Sequence, residues 1–443
     1  MTRNTATPLF ILAAWLAGPA AAPAQVVTVL HNFGGPNDGR NPNGSLLLSG
    51  GAFYGMTEIG PGFGNNGTIF KMNPDGTGFV TLHIFTGGLN DGAAPTGSLI
   101  QSGSFLYGLT PSGGSGGHGT IFRTNLDGTG FTIVHSFAGG PVDGAGPLGT
   151  LTVVGSTLYG TTSSGGSVPS SNGLYPNGTI FKVNLDGTGY AVLHNFAGGP
   201  GDGQSPGFGA LAVSGSTVYG MTTVGGGGSG TIFRMNLDGS GYSILHSFVN
   251  GPNDGAAPQG QLVVSGTTLY GMSGNGGASN MGALFKMQTD GSGFTMLRGF
   301  AGTPNDGATP GGEPTIVGST IYATTGYGGK NSLGMILGVG TDGTNYDPLY
   351  SFSGAPTDGN GPVGDLVAAG SAFYGMTSSG GALNDGTIYG FSPVPEPSSL
   401  VLLTLAAAGR VRWGGLARRG PKRPDCGTVM SLPALHRPAS KTP

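Results

Sequence analysis

Charge is scarce in this chain. Only 8% of its 443 residues are charged, and 17 Lys and Arg stand against 20 Asp and Glu for a net charge of −3. No basic stripe of the kind that neutralises phosphates is present, which argues against a nucleic-acid partner. Cysteine is scarcer still. The single Cys426 excludes an intramolecular disulfide and any zinc site built on paired thiolates. No apolar periodicity of 3.6 residues runs between residues 26 and 393, so a helical bundle is excluded. Glycine-rich pieces such as Gly225 to Gly228 lack the strand–turn–helix setting of a phosphate loop.

Glycine, at 94 residues, is abundant, with 31 prolines beside it. The glycines sit at fixed offsets between short apolar runs, which reads as tight turns joining short strands. The tyrosine of an LYG-like tripeptide recurs at Tyr54, Tyr107, Tyr159, Tyr219, Tyr270, Tyr322 and Tyr374, at intervals of 53, 52, 60, 51, 52 and 52 residues. A period of this length marks a solenoid, propeller or array. One unit divides into four strand-length runs: Gly97 to Gln101, Phe105 to Thr110, Gly119 to Thr124 and Phe131 to Phe137. An Asp-Gly hairpin, Asp127-Gly128, joins the last two. In the run from Phe79 to Phe85 both sides carry apolar residues, as blades buried on two faces require.

The ends of the repeat region predict closure. The region opens on a lone fourth strand, Val26 to Phe33, and stops after a third strand, Gly386 to Phe391. Pairing the two completes a seventh blade and removes the open edge. The expected fold is all-β: a seven-bladed β-propeller of four-stranded blades over residues 25–393, its last blade closed by the N-terminal strand.

The flanks read as addresses. Residues 1–24 form an expected signal peptide, with Arg3, the apolar stretch Leu9 to Gly18 and a small-x-small site at Ala22-Pro23-Ala24. Residues 394–419 carry Pro395-Glu396-Pro397, an apolar run and a cluster of arginines, and resemble the PEP-CTERM sorting signal of Gram-negative bacteria. That resemblance implies an exosortase-type processing protease as partner, transient membrane contact and a secreted or envelope-associated location. Residues 420–443 lack the repeat and are expected to be a disordered tail. The pattern LYG…GTIF…DGTGF…LHxF over residues 26–391 resembles the GloVer tandem repeats of choice-of-anchor proteins. The hairpin Ile232 to Gly241 is similar to blade hairpins of TolB-type propellers. Neither resemblance transfers a catalytic residue.

Most aspartates fall at two repeat positions. Asp75, Asp127, Asp186, Asp238, Asp290 and Asp342 occupy the hairpin. Asp38, Asp91, Asp143, Asp202, Asp254, Asp306 and Asp358 follow the fourth strand, and antiparallel order puts them on the opposite face. Asx-type turns account for both sets. The second set is also a candidate binding ring, although one carboxylate per blade does not converge on a metal. Five histidines, His31, His83, His135, His194 and His246, share one strand position with Arg298 and Tyr350, so a structural role is expected.

Where the period fails, binding candidates appear. The third unit has a longer loop, Ser167 to Asn177, whose Leu174 and Tyr175 are expected on the same face as the second Asp ring. The sixth unit carries Glu313-Pro314, Ala323, Lys330 and Asp347 where other units are neutral, which reads as drift. Glu58 and Glu313, the glutamates preceding the sorting motif, lie in different blades, so they do not nominate a glycosidase-like pair. The expectation is a binding or structural module for exopolysaccharide or a surface protein, with no cofactor or metal. The alternative is a polysaccharide hydrolase or lyase using Asp347, Asp365 and Asp385.

Overall fold

A computed structural model describes residues 25–393, apart from 63–65, 169–176 and 208. Seven antiparallel sheets follow one another along the chain as blades one to seven: residues 47–84, 100–136, 152–195, 212–247, 263–299, 315–351 and 359–391. The seventh sheet takes its outer strand from the other end of the described chain. Val27–Asn32 pairs antiparallel with Thr387–Phe391, with Val27 opposite Phe391 and Asn32 opposite Thr387. The ring is therefore closed as the split unit predicts. Phe33 N–H donates to the Gly386 carbonyl (3.0 Å), and Ala382 N–H to Asn32 Oδ1 (2.8 Å), extending the seam beyond the ladder.

The strands form where the apolar runs place them, with boundaries shifted by a few residues. In blade two they are Ile100–Ser102, Phe105–Thr110, Thr120–Asn125 and Thr132–Ser136. The first strand is shorter than predicted because Gly97 and Ser98 leave the ladder to line the axis. A feature absent from the sequence reading is a two-residue ladder outside each of several blades, such as Gly92–Ala93 on Ser112–Gly113. It fastens the blade-linking segment to the loop between the second and third strands. This is the turn face of the ring.

Seven apolar clusters hold the ring, each spanning two neighbouring blades. Between blades one and two, Tyr54, Met56, Ile69 and Phe85 meet Leu99, Leu106 and Phe122. The expectation of two buried faces holds for the second strand, where Ala52–Thr57 is buried throughout. It fails at the outer strand, whose Val80 and Ile84 are each 46% exposed because no further strand covers them. Leu82, between them, is bulged out of register with the third strand. The bulge turns it onto the next blade's hairpin, where a Cβ added to Gly128 would strike it.

Candidate functional site

The turns after the outer strands are the first candidates. Every aspartate of the second set is half-buried or buried, and each takes a hydrogen bond from the strand before it. His31 bonds Asp38 at 2.7 Å, His83 Asp91 at 3.1 Å, His135 Asp143 at 3.2 Å, His194 Asp202 at 3.2 Å and His246 Asp254 at 3.0 Å. Arg298 reaches Asp306 at 2.6 Å, and Tyr350 donates to Asp358 at 2.5 Å. Backbone amides add to this: Thr86 and Gly92 both donate to Asp91. Burial alone raises the Asp91 carboxyl, but the His83 bond and these amides outweigh it and hold its pKa below the ordinary 3.8.

The same histidines clasp the neighbouring blade. His31 stacks on Phe79, His83 on Phe131, His135 on Tyr190, His194 on Tyr242 and His246 on Phe294, with centroids 3.8–3.9 Å apart. Arg298 does the same over Tyr346 at 3.7 Å. The half-buried polar tip expected at this position is thus one end of a latch between blades. The glycine after each such aspartate lies on a buried hydroxyl residue, threonine in every blade junction but that of Gly255, which meets Ser273: a Cβ on Gly92 would overlap Thr110. A close approach, with no need for positive φ, selects glycine there. The hairpin aspartates behave differently. Asp75 and its counterparts are exposed and accept the amide and hydroxyl two residues on, at 2.9 and 2.7 Å for Thr77, which is the Asx-type turn expected of them.

Leu174 and Tyr175, like Pro395, Glu396 and Pro397, lie outside the described residues. The long loop's anchors are in place: Ser167 N–H donates to Asn195 Oδ1 (2.9 Å), and Asn177 is buried.

A site that sequence reasoning missed lies on the ring axis. The segments leading into the first strands converge there so closely that glycine is required: a Cβ on Gly44 would overlap the Gly97 carbonyl, one on Gly97 that of Gly149, one on Gly260 that of Gly312. One residue further on, side chains bridge blades. Ser45 N–H donates to Ser98 Oγ (2.7 Å), and Ser98 N–H to Thr150 Oγ1 (2.9 Å). The corresponding residues in blades six and seven are Glu313 and Asp365. Above this ring opens a cavity of about 330 Å³, the size of a small-ligand pocket. It is lined by Asn43, Thr96, Gln259, Gln261 and Tyr327 as well as the ring, so it belongs to the turn face.

Glu313 and Asp365 come from different blades and meet at one junction. The Asp365 carboxylate accepts from two donors, the Glu313 N–H and the Ser45 hydroxyl (2.8 Å), while its own backbone N–H donates to Ser45 Oγ (2.8 Å). Glu313 Oε2 is buried and has no hydrogen-bond partner among the described residues. Burial lifts Asp365 to about 6, against the lowering effect of those donors. Burial and the neighbouring Asp365 charge raise Glu313 well above its ordinary value. Donors favour the anion, so the shared proton rests on Glu313 and the charge on Asp365. Of the three acids in the hydrolase reading, Asp365 alone lines the cavity; Asp347 is exposed on an outer strand, and Asp385 lies against Gly34. Repeat averaging hid the pair, since each acid replaces Ser, Thr, Ala or Gln in a single unit.

The sixth unit's Ala323 also has a structural partner. Elsewhere this position is glycine, because a Cβ on Gly108 would overlap the Phe122 ring. In blade six the phenylalanine is replaced by Leu337, which faces Ala323 across the ladder and leaves room for the methyl.

Residues 20–174 and 167–324 match the family model described as the Gloeobacter/Verrucomicrobia repeat. No curated protein sequence matches the chain. Among solved structures, a nidogen/laminin complex is similar at 14% identity, with a TM-score of 0.39, over 65% of this chain and 92% of that one. TolB from Acinetobacter baumannii is similar at 15% identity, with a TM-score of 0.40, over 70% and 63%. A putative 6-phosphogluconolactonase from Bacteroides fragilis NCTC 9343 is similar at 15% identity, with a TM-score of 0.47, over 75% and 87%.

Proposed function

The chain belongs to the Gloeobacter/Verrucomicrobia repeat family, and we propose that it is an exported propeller that binds extracellular polysaccharide, or a glycan-bearing surface protein, in the axial cavity of its turn face. The cavity is the observation that carries this reading. Among the described residues its wall combines amides (Asn43, Gln259, Gln261), hydroxyls (Ser45, Ser98, Thr150) and the aromatic Tyr327, which stands 62% exposed. Hydroxyl-rich ligands are recognised by such convergent polar groups beside an aromatic surface. The aspartates of the second set support the cavity from outside it. Their carboxylates are committed to the latches, which hold the turn face rigid.

A glycan array probed with the purified protein tests the reading, together with an Ala210→Trp variant. Ala210 lines the cavity, and an indole there fills it. Binding by the wild type that the variant loses supports the axial site; binding unchanged in the variant refutes it. Polysaccharide hydrolysis or lysis is a second reading, favoured by the protonated Glu313 beside ionised Asp365. Product release from a polysaccharide panel, abolished by Asp365→Asn, would establish it.

Export and sorting are part of the proposal. The signal peptide and the Pro395-Glu396-Pro397 motif support delivery to the envelope of a Gram-negative bacterium and cleavage by an exosortase-type protease. Mass spectrometry of the mature protein reads the outcome: an intact Pro443 rules the processing out.

A further inference from the structure

The axial ring has approximate sevenfold symmetry, but its chemistry does not. Blades one to three contribute Ser45, Ser98 and Thr150, blade four Ala210 and blade five Gln261, all neutral, whereas blades six and seven place two carboxyls side by side. Among the described residues no lysine, arginine or histidine lines the cavity, and Tyr327 is the only other ionisable group in its wall. Glu58, which accepts a hydrogen bond from Asn43 at 2.6 Å, adds a further acid just behind that wall. The nearest acids therefore have no internal counter-cation in the cavity. Glu313 adds a separate sign: the residue lines the cavity, and among the described residues its buried Oε2 has no hydrogen-bond partner. A buried acceptor left unpaired costs free energy that a ligand donor recovers.

We propose that the axial cavity selects glycans carrying a free, protonated amino group, seating the ammonium between Glu313 and Asp365 and the sugar ring against Tyr327 and the Asn43, Gln259 and Gln261 amides. An ammonium brings three donors and one positive charge. It offers a donor to the Glu313 carboxyl and pairs with the negative charge held on Asp365. An N-acetylated or neutral sugar offers neither, and its entry leaves Asp365 buried and uncompensated. A divalent cation fits less well, since it needs six to eight converging oxygens and the described residues hold no cluster of three acids or histidines. This inference rests on the glycan-binding reading and narrows its ligand class.

The pH dependence follows from the pair. Above about 6 Asp365 is ionised and the ammonium meets a charge. Below that it is protonated, the cavity is neutral and the preference fades, although the ligand amine stays charged. Tyr327 is the remaining titratable group named in the cavity wall.

Isothermal titration calorimetry with the purified full chain tests this, using glucosamine oligosaccharide, its N-acetylated form and a neutral glucan oligosaccharide of equal length. The expected result at pH 7 is binding of the amino form about tenfold to a hundredfold tighter than the other two, from one charged hydrogen-bond set. That preference should shrink at pH 5 with no change in the neutral glucan. Glu313→Gln and Asp365→Asn should each abolish it, and the wild-type pH series carries the test if either variant fails to fold. Equal binding of all three ligands overturns the amine inference and leaves glycan binding standing. No binding of any of them overturns both.

Discussion

Leu337 and Ala323 show how finely single residues are matched across this ladder. Six units place an aromatic ring over a glycine, and blade six trades both partners together. Leu337→Phe should therefore cost about 1–3 kcal/mol through overlap with the Ala323 methyl. Adding Ala323→Gly should recover most of it. Denaturant midpoints of the two single variants and the double variant read the coupling, and additive effects would refute it. The latch aspartates make a pH prediction at the same scale. Asp91, Asp143 and Asp202 are held below 3.8 in the folded state. For carboxyls lowered on folding, the added stability is present above about pH 4 and is lost as pH falls through the folded values. Thermal midpoints should drop as pH falls below about 4. In Asp143→Asn, which should lose about 1–3 kcal/mol at pH 7, the acid drop should be smaller. An unchanged acid profile in that variant would sink the assignment.

Two elements decide whether the ring stays closed. The N-terminal strand Val27–Asn32 covers the edge of Thr387–Phe391, and Phe33 enters the core between blades seven and one. Deleting residues 25–33 should expose that edge, lower the melting temperature and promote edge-to-edge association visible by size-exclusion chromatography. A synthetic peptide of residues 26–33 added in trans should reverse both effects; a deletion variant that stays monomeric and equally stable would contradict the seam. The second element is the latch. A double-mutant cycle on His83 and Phe131 should give about 0.5–1.5 kcal/mol of coupling, as for stacked ring pairs. Between blades six and seven Val27 stands where the other units have an aromatic, so Tyr350 relies on its bond to Asp358. The equivalent cycle on Tyr350 and Val27 should give a smaller coupling. The acid pair lies at this same junction.

At the scale of the whole repeat domain, each blade shares its core with two neighbours and the chain ends are fastened together. An open array of repeats can lose stability locally, but a closed ring has no free terminal repeat from which to fray. Leu337→Phe should therefore lower a single unfolding transition. Hydrogen exchange should quicken in blades on both sides of the ring, rather than in blade six alone. Local opening confined to residues 315–351 would show that closure does not couple the blades.

Repetition made the fold legible: seven tyrosines at a near-constant interval, Asp-Gly hairpins and a split unit sufficed for blade number and closure, because local turn chemistry and strand pairing are written within each unit. The same repetition made His83 and Asp91 readable as structural, although the latch between blades needed the fold, since His83 stacks on Phe131, roughly one repeat further along the chain. Glu313 and Asp365 were hidden for the opposite reason. Each is a lone departure in its own unit, 52 residues from the other, and nothing local links them. The sequence by itself determined an all-β ring with little charge and almost no cysteine, held by glycine turns and apolar strands. Only tertiary structure decided where its acids meet: ring closure brings seven chain-distant segments to one axis, and burial there raises the pKa values of two neighbouring carboxyls.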